Sequence, residues 1–286
     1  MRCQRSAATG SRVGGRLADM SNQACGPQQG EQLIAEYIDM MSLQPLWRLI
    51  QPAWRLLPPL ASQCAVCHSW PARRVCRLCT ARFAQPLPRC RTCALAVTGA
   101  LDQCAACVRQ PPPLDAAFAA VSYGFPWSEL IARYKFGTDP AWAAVFGELL
   151  LQTPDLSAHL DGLQPDDWLL PMPLSARRLQ SRGYNQAWQL TQALGVLSST
   201  PARCDATLLL RIKDTQPQTR LDRQARLQNV QGAFVVDPLR LAGLEGRQVV
   251  LIDDVMTSGA SLFAAAQALR DAGAAGVTGV VFARTE

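Results

Sequence analysis

Two adjacent carboxylates, Asp253 and Asp254, follow a run of four aliphatic residues and precede a short stretch rich in hydroxyl groups. Paired carboxylates accept hydrogen bonds from vicinal hydroxyls or hold a divalent cation through water. The stretch after them offers hydroxyls, backbone N–H groups and a glycine that allows close approach, at Thr257, Ser258, Gly259, Ala260 and Ser261. These residue types at this spacing predict a site for a phosphorylated ribose and Mg²⁺.

The elements on either side of the acidic pair would position this chemistry. Val249–Ile252 predicts a strand covered on both faces of a parallel sheet, and Leu262–Arg270, rich in Ala and Leu, predicts the following helix. Thr257–Ser261 then form the turn at the helix N-terminus, where free N–H groups and the helix dipole favour a phosphate. The alternative is an ordinary strand, turn and helix with an Asp or Thr cap. Packing alone, however, does not explain an acidic pair after a buried strand.

Eight of the eleven cysteines form four Cys-x-x-Cys pairs, separated by eight, ten and ten residues. Eight thiolates at this spacing make two tetrahedral Zn²⁺ sites, which would supply the folding free energy of a segment too short for much of a core. The predicted ligands are Cys64, Cys67, Cys76, Cys79, Cys90, Cys93, Cys104 and Cys107. Consecutive pairs would close two ribbons in series; the alternative is an interleaved arrangement in which the first and third pairs share one metal. Redox activity is disfavoured because no thioredoxin-like βαβ pattern surrounds the pairs.

A second polar constellation begins where another predicted strand ends, at Pro171, and continues to Gln186. In a parallel sheet this segment shares an edge with the acidic pair, and Arg side chains bind a diphosphate through two parallel hydrogen bonds. The predicted ligand contacts are Pro173, Leu174, Ser175, Arg177, Arg178, Arg182 and Asn185. A surface loop is the alternative interpretation of this segment.

The composition is that of a globular chain with a basic middle. The 286 residues are 49% hydrophobic, enough to bury a full core in one or two domains. No stretch approaches the roughly 18 uncharged apolar residues of a membrane span, and no signal peptide precedes the paired cysteines, so we expect a cytoplasmic protein. Residues 171–230 contain nine Arg or Lys and three Asp, an excess of six positive charges. That excess suits a diphosphate, a nucleic acid or a solvated basic face.

Four regions are predicted along the chain. They are a poorly ordered leader at 1–45, a short amphipathic segment at 46–62, a double zinc ribbon at 63–110 and an α/β domain at 114–286. Translation starts either at Met1 or near Met40. The amphipathic segment either packs on the domain behind it or contacts a partner or a membrane surface.

The last region alternates strands with helices, which indicates a mainly parallel sheet with its ligand site at the carboxyl ends of the strands. The predicted strands are 116–123, 168–172, 206–210, 233–236, 249–252 and 277–282. The predicted helices are 127–136, 141–151, 183–194 and 262–270.

The run 249–261 resembles the motif by which type I phosphoribosyltransferases bind phosphoribosyl diphosphate (PRPP). Ser258 and Ser261 replace threonines of the usual motif, which keeps both hydroxyls. The sequence Pro-x-Pro-Leu at 171–174 and the sequence Arg-Gly-Tyr-Asn-Gln at 182–186 closely match the ComF/GntX family of phosphoribosyltransferase-like proteins. The four cysteine pairs, Tyr123 and Lys135–Phe136 also match it, so the resemblance covers roughly residues 60–286.

This resemblance implies a type I phosphoribosyltransferase core preceded by a double zinc ribbon. It implies that Asp253 and Asp254 hold the ribose hydroxyls and Mg²⁺ of PRPP, while the turn after them holds the 5-phosphate. The segment after Arg211 resembles the loop that closes over the site in type I transferases. Its implied contacts to the ligand are Arg211, Lys213, Gln218 and Arg226.

Two functions follow from the resemblance. The first is binding of PRPP with Mg²⁺, with transfer of the phosphoribosyl group to an amine or nucleobase as the corresponding reaction; a base-recognising hood is missing after the last predicted strand, so the acceptor stays open. The second is handling of single-stranded DNA during DNA uptake, with a DNA-uptake or helicase protein as partner and with ribbons and basic residues on phosphates. A purely structural zinc scaffold would leave the acidic pair unexplained.

Overall fold

Five parallel strands form the central sheet of the computed structural model, which describes residues 62–99, 101–137, 139–213, 230 and 232–286. Their bounds are Ala116–Ser122 for β1, Trp168–Pro171 for β2, Arg203–Cys204 for β3, Gln248–Met256 for β6 and Gly276–Arg284 for β7. The order across the sheet is β1-β7-β6-β2-β3, and every neighbouring pair is parallel. The predicted α/β class with a mainly parallel sheet is confirmed.

Helices cover both faces of this sheet. Two short helices, Arg77–Phe83 (α1) and Ala105–Arg109 (α2), belong to the cysteine-rich module. The others are Trp127–Phe136 (α3), Trp142–Leu150 (α4), Leu156–Asp161 (α5), Ala176–Arg182 (α6), Gln186–Leu197 (α7) and Ala260–Asp271 (α8). The predicted leader at 1–45 and nearly all of the amphipathic segment at 46–62 lie outside the described residues.

The helix predicted at 183–194 is wrong at its start, because the chain forms two helices there. Gly183 ends α6 in the left-handed conformation, with φ 77°, which a residue without a side chain adopts at little cost. Asn185 then caps α7, since its side-chain oxygen accepts hydrogen bonds from the backbone N–H groups of Ala187 and Trp188. The sequence Arg-Gly-Tyr-Asn-Gln is therefore the junction between two helices.

The aliphatic run of β6 is explained by burial on both faces. Val249 and Leu251 pack with α8 in one part of the core, whereas Val250 and Ile252 pack with the helices on the opposite face. All four side chains are at most 1% exposed. Alternate residues of a strand point to opposite faces, so a continuous aliphatic run is what a strand covered on both faces requires.

Two of the predicted strands lie outside the parallel sheet. Leu209–Arg211 (β4) and Phe234–Val236 (β5) pair with each other in antiparallel register and form a separate two-stranded sheet. Leu209 and Phe234 are buried in the same part of the core as α8. Both segments contain strands, as predicted, but they do not join the parallel sheet; consecutive strands can pair antiparallel without the crossover helix that a parallel pair needs.

After the neighbouring strands β2 and β6, the chain continues toward opposite sides of the sheet. Leu170 of β2 lies beside Leu251 of β6 in parallel register. From β2 the chain proceeds to β3 on one side, and from β6 it proceeds to β7 on the other. Loops that diverge in this way open a crevice at the carboxyl ends of the two strands, where open α/β sheets bind their ligands.

The cysteine-rich module is joined to the sheet domain through both of its halves. The indole N–H of Trp127, on α3, donates to the carbonyl oxygen of Phe83 at 2.8 Å. The backbone N–H of Ala117, on β1, donates to the carbonyl oxygen of Arg91 at 2.7 Å. Among the described residues, no helix is both long enough and apolar enough to cross a membrane.

Candidate functional site

A cleft of about 560 Å³ opens at the carboxyl ends of β2 and β6. It brings together most of the residues predicted from sequence: Pro173, Leu174, Arg178, Arg182, Asn185, Arg211, Asp253, Asp254, Thr257, Gly259, Ala260 and Ser261. Four others are not part of its lining: Ser175, Arg177, Lys213 and Ser258. Gln218 and Arg226 lie outside the described residues.

The acidic pair lies within β6 rather than after it. The strand continues through Asp253 and Asp254 to Met256, four residues beyond the predicted end at Ile252. Asp253 is partly exposed to the cleft, whereas Asp254 is 5% exposed. The backbone of a strand is rigid, so the two carboxylates have fixed positions relative to the loop that follows.

Lys135 forms an ion pair with this site. Its Nζ lies 2.9 Å from Oδ1 of Asp254. Burial of Asp253 and the neighbouring charge of Asp254 raise the pKa of Asp253 to about 7, while Lys135 acts in the opposite direction. With its pKa raised, Asp253 keeps its proton to a higher pH than an isolated carboxyl would, so the pair carries less negative charge than two isolated carboxylates.

The loop after the strand makes a tight glycine turn into the next helix. Gly259 has φ 81°, and α8 begins at the next residue, Ala260. A Cβ at Gly259 would lie 2.5 Å from the ring of Phe263, so a larger residue is excluded by both conformation and space. Ser258 directs its Oγ to the backbone N–H of Ala260 at 3.4 Å, and this contact keeps its hydroxyl in the loop.

The phase of α6 decides which arginines reach the cleft. Arg178 and Arg182 are four residues apart and share one helix face, whereas Arg177 lies on another face and is exposed. Arg182 also contacts the Oε1 of Gln186 at 2.9 Å. At the start of the helix, Ser175 is 3% exposed and its hydroxyl makes no hydrogen bond within the described residues.

Several residues of the cleft were given no role from sequence. Lys135, Tyr123 and Phe136 line it together with Gln186. For Tyr123, Lys135 and Phe136, the only indication in the sequence is their match to the ComF/GntX family. Asn185 was predicted to contact the ligand, and its amide also donates to the carbonyl oxygen of Met172 at 3.2 Å, which ties α7 to the end of β2.

The eight paired cysteines form two separate clusters, Cys64/Cys67/Cys76/Cys79 and Cys90/Cys93/Cys104/Cys107, which we call the first and second thiol clusters. Within each cluster all four Sγ atoms lie within 4.8 Å of one another. Pairing is thus between consecutive Cys-x-x-Cys pairs, and the interleaved alternative is wrong.

The thiol clusters fit zinc. Sγ atoms bound to one tetrahedral Zn²⁺ are about 3.8 Å apart, and the Sγ separations of Cys67–Cys76 and Cys93–Cys104 are 3.6 and 3.7 Å. Hydrogen bonds from the hydroxyl and the backbone of Ser69 lower the pKa of Cys67 to about 6, toward the thiolate form that binds metal. The clusters can therefore hold two structural zinc ions.

Arg284 links the second thiol cluster to the loop of the cleft. Arg284, 6% exposed, donates from Nε to the carbonyl oxygen of Cys93 at 3.0 Å, and from Nη1 to that of Thr257. Phe263, whose ring lies against Gly259, also packs on this cluster. The first thiol cluster packs instead with the helices on the opposite face of the sheet.

The fold and the site define an α/β protein with a phosphoribosyltransferase-like sheet and an N-terminal module of two four-cysteine clusters. No family model matches the chain. It is, however, 31% identical over 205 residues to "DNA utilization protein YhgH" of Escherichia coli K12, covering 71% of this chain and 87% of the relative. It is 30% identical over 186 residues to "Competence protein F" of Haemophilus influenzae, covering 65% of this chain and 80% of the relative.

A third relative, "Competence protein ComFC" of Bacillus subtilis, is 30% identical over 156 residues, covering 54% of this chain and 58% of the relative. These relatives and the two thiol clusters confirm the resemblance found in the sequence. The chain belongs to the ComF family.

The pairing of the cysteines can be tested by zinc content. Because Cys64 and Cys76 belong to the same cluster, the double variant Cys64→Ser/Cys76→Ser should lose one of two zinc ions per chain and keep the other. Interleaved sites would lose both. Atomic emission of the purified protein measures this, and Cys204→Ser, outside both clusters, should keep two.

The contact between the second thiol cluster and the loop predicts local coupling. In Cys93→Ser/Cys107→Ser, hydrogen exchange of the amides at 257–263 should become at least fivefold faster. Without the metal the backbone at residue 93 loses its fixed position, so the buried hydrogen bond from Arg284 to its carbonyl oxygen, worth about 1–3 kcal/mol, is weakened. Arg284→Gln should reproduce the effect with both zinc ions retained.

The matched control for this coupling is Cys67→Ser/Cys79→Ser in the first thiol cluster, which should leave exchange at 257–263 unchanged. Equal acceleration by both double variants would contradict the coupling.

Proposed function

We propose that the cleft binds PRPP or a related ribose 5-phosphate together with Mg²⁺. The observation that carries the proposal is that one cleft at the switch point of the sheet holds the acidic pair, a glycine turn at a helix start and two arginines on one helix face. A sugar that carries phosphates at both ends needs all three kinds of group.

Each group has a distinct task in this proposal. Asp253 and Asp254 accept hydrogen bonds from the ribose hydroxyls, and their oxygens are the type of ligand that Mg²⁺ takes. The backbone of Thr257–Ser261 holds the 5-phosphate at the start of α8. Arg178 and Arg182, which line the opposite side of the crevice after β2, hold the diphosphate.

The same arrangement supports transfer of the phosphoribosyl group to an acceptor. Bound Mg²⁺ would neutralise the departing diphosphate. The protein groups would fix the ribose between the acidic pair and the two arginines, and positioning of this kind supplies a large share of the rate in reactions without a covalent enzyme intermediate. Tyr123 and Phe136 line the same cleft and are 44% and 73% exposed, so their rings would offer a nucleobase acceptor a surface for stacking.

The two neighbouring arginines provide a matched test of PRPP binding. Arg178→Met should lower the affinity for PRPP with Mg²⁺ about tenfold, because a charge-assisted contact to the diphosphate is lost. Its affinity for ribose 5-phosphate, which lacks the diphosphate, should change less than twofold. Arg177→Met removes the same charge from outside the cleft and should leave both affinities unchanged. Isothermal titration calorimetry measures all of them.

A variant without the acidic charges sets the baseline for these titrations. Asp253→Asn/Asp254→Asn should bind neither ligand measurably. A wild-type heat no larger than that of this variant would sink the proposal for the whole cleft, whereas equal losses in Arg177→Met and Arg178→Met would sink only the assignment of the diphosphate side.

The names of the relatives, which refer to DNA utilization and competence, favour a DNA-related role. As a second candidate we propose that the protein handles single-stranded DNA during DNA uptake. Contacts to phosphates would come from the basic residues of 171–230 and from the arginines of the ribbons. If so, the affinity for a fluorescent oligonucleotide should fall at least tenfold between 50 and 200 mM salt, since each phosphate contact releases a counterion. An anisotropy titration that shows no salt dependence would count against this role.

A further inference from the structure

The ammonium of Lys135 forms an ion pair with Asp254, one of the two carboxylates proposed to bind Mg²⁺. Lys135 lies in the last turn of α3, and its Nζ is 2.9 Å from Oδ1 of Asp254. The two side chains are 21% and 7% exposed, so water screens the pair only partly. A divalent cation on the acidic pair would meet a positive charge at hydrogen-bond distance from its own ligand.

The position of Lys135 is fixed by the junction between α6 and α7. The hydroxyl of Tyr184 donates to the carbonyl oxygen of Tyr134, and Nε2 of Gln186 contacts the carbonyl oxygen of Lys135 at 3.4 Å. In return, the hydroxyl of Tyr134 donates to the carbonyl oxygen of Gln186 at 2.6 Å. Three hydrogen bonds thus hold the end of α3 at Tyr134 and Lys135.

These contacts indicate that the sequence Arg-Gly-Tyr-Asn-Gln positions the end of α3 as well as lining the cleft. Arg182 contacts Oε1 of Gln186 at 2.9 Å, and that places Nε2 of the same amide toward the carbonyl of Lys135. A ligand that draws Arg182 toward its phosphates would therefore act on the residue that holds the end of α3. The ion pair and the diphosphate side of the cleft are linked by one chain of contacts.

We propose that Lys135 keeps free divalent cations off the acidic pair and gives up Asp254 when a phosphorylated ribose enters the cleft. The proposal rests on the function proposed above, since it assumes that the cation binds with the ligand. Phosphates offer the ammonium a new partner inside the same cleft, and Asp254 then becomes available to the cation. Cation and sugar phosphate accordingly bind together, and the cation alone binds weakly.

Competition for one carboxylate has a direct consequence for binding. Without Lys135 no ammonium lies on Oδ1 of Asp254, so a free cation should bind the acidic pair more tightly. With the ligand present, the loss of Lys135 should raise the cation affinity less, because the ammonium has already left Asp254. The ratio of cation affinities with and without ligand is therefore the quantity that reports this role; a purely structural role of Lys135 would leave that ratio unchanged.

The test uses Mn²⁺ as the probe, followed by the electron paramagnetic resonance signal of the free ion. Without PRPP, Lys135→Met should bind Mn²⁺ at least tenfold more tightly than wild type, and Lys135→Arg, which keeps the charge, should stay within about threefold of wild type. Adding PRPP should raise the Mn²⁺ affinity of wild type by a larger factor than that of Lys135→Met. Arg133→Met removes a charge from the exposed face of the same helix and should behave as wild type.

The outcomes separate this inference from the proposed function. In one outcome, PRPP raises the Mn²⁺ affinity of wild type, but Lys135→Met without PRPP binds Mn²⁺ no more tightly than wild type does. This result would overturn the role of Lys135 and leave PRPP binding intact. No effect of PRPP on any of the proteins would overturn the proposed function instead. If Lys135→Met does not fold, Tyr184→Phe, which removes the hydroxyl bonded to the carbonyl of Tyr134 and to the side chain of Gln186, should show a smaller gain in the same direction.

Discussion

The parallel pairing of β2 with β6 is the constraint on which the cleft depends. Because the two strands run in the same direction and lead to opposite sides of the sheet, the loops after them diverge from one edge. One loop carries the glycine turn and the other leads into α6 with its arginines. An antiparallel neighbour would have put one of these loops at the far end of the sheet, and the cleft would have lost either its glycine turn or its arginines.

The cysteine-rich module shows how a segment with little apolar surface becomes part of this arrangement. Around the second thiol cluster, the buried residues are the four cysteines themselves, with a few apolar side chains such as Phe263 beside them. Metal–thiolate bonds would supply the stability that a larger core gives elsewhere. Through Arg284, that stability reaches the carbonyl oxygen of Thr257. A local metal centre can in this way stiffen a loop that lies far from it in the sequence.

The sequence predicted the local features and missed those that depend on how elements meet. The aliphatic run of Val249–Ile252 and the cysteine spacing are local patterns, and both led to correct structure. By contrast, nothing in the sequence separates Arg177 from Arg178, because their difference is the phase of α6, a helix that was not predicted. Lys135 was noticed as a match to the family but received no role, since its contact with Asp254 joins residues more than a hundred positions apart.

The electrostatics of the cleft suggest why its ligand would bring a cation. Two adjacent carboxylates in a partly buried strand repel each other, and their separation from water raises the free energy of the charged state. The protein offsets this in two ways, through the ion pair with Lys135 and through a pKa near 7 that lets Asp253 take up a proton. Neither removes the negative charge completely. A divalent cation would do so, but the charges of Lys135, Arg178 and Arg182 oppose it unless phosphates arrive with it. On the function proposed above, the cleft would therefore bind a sugar phosphate together with its metal ion more tightly than either one alone.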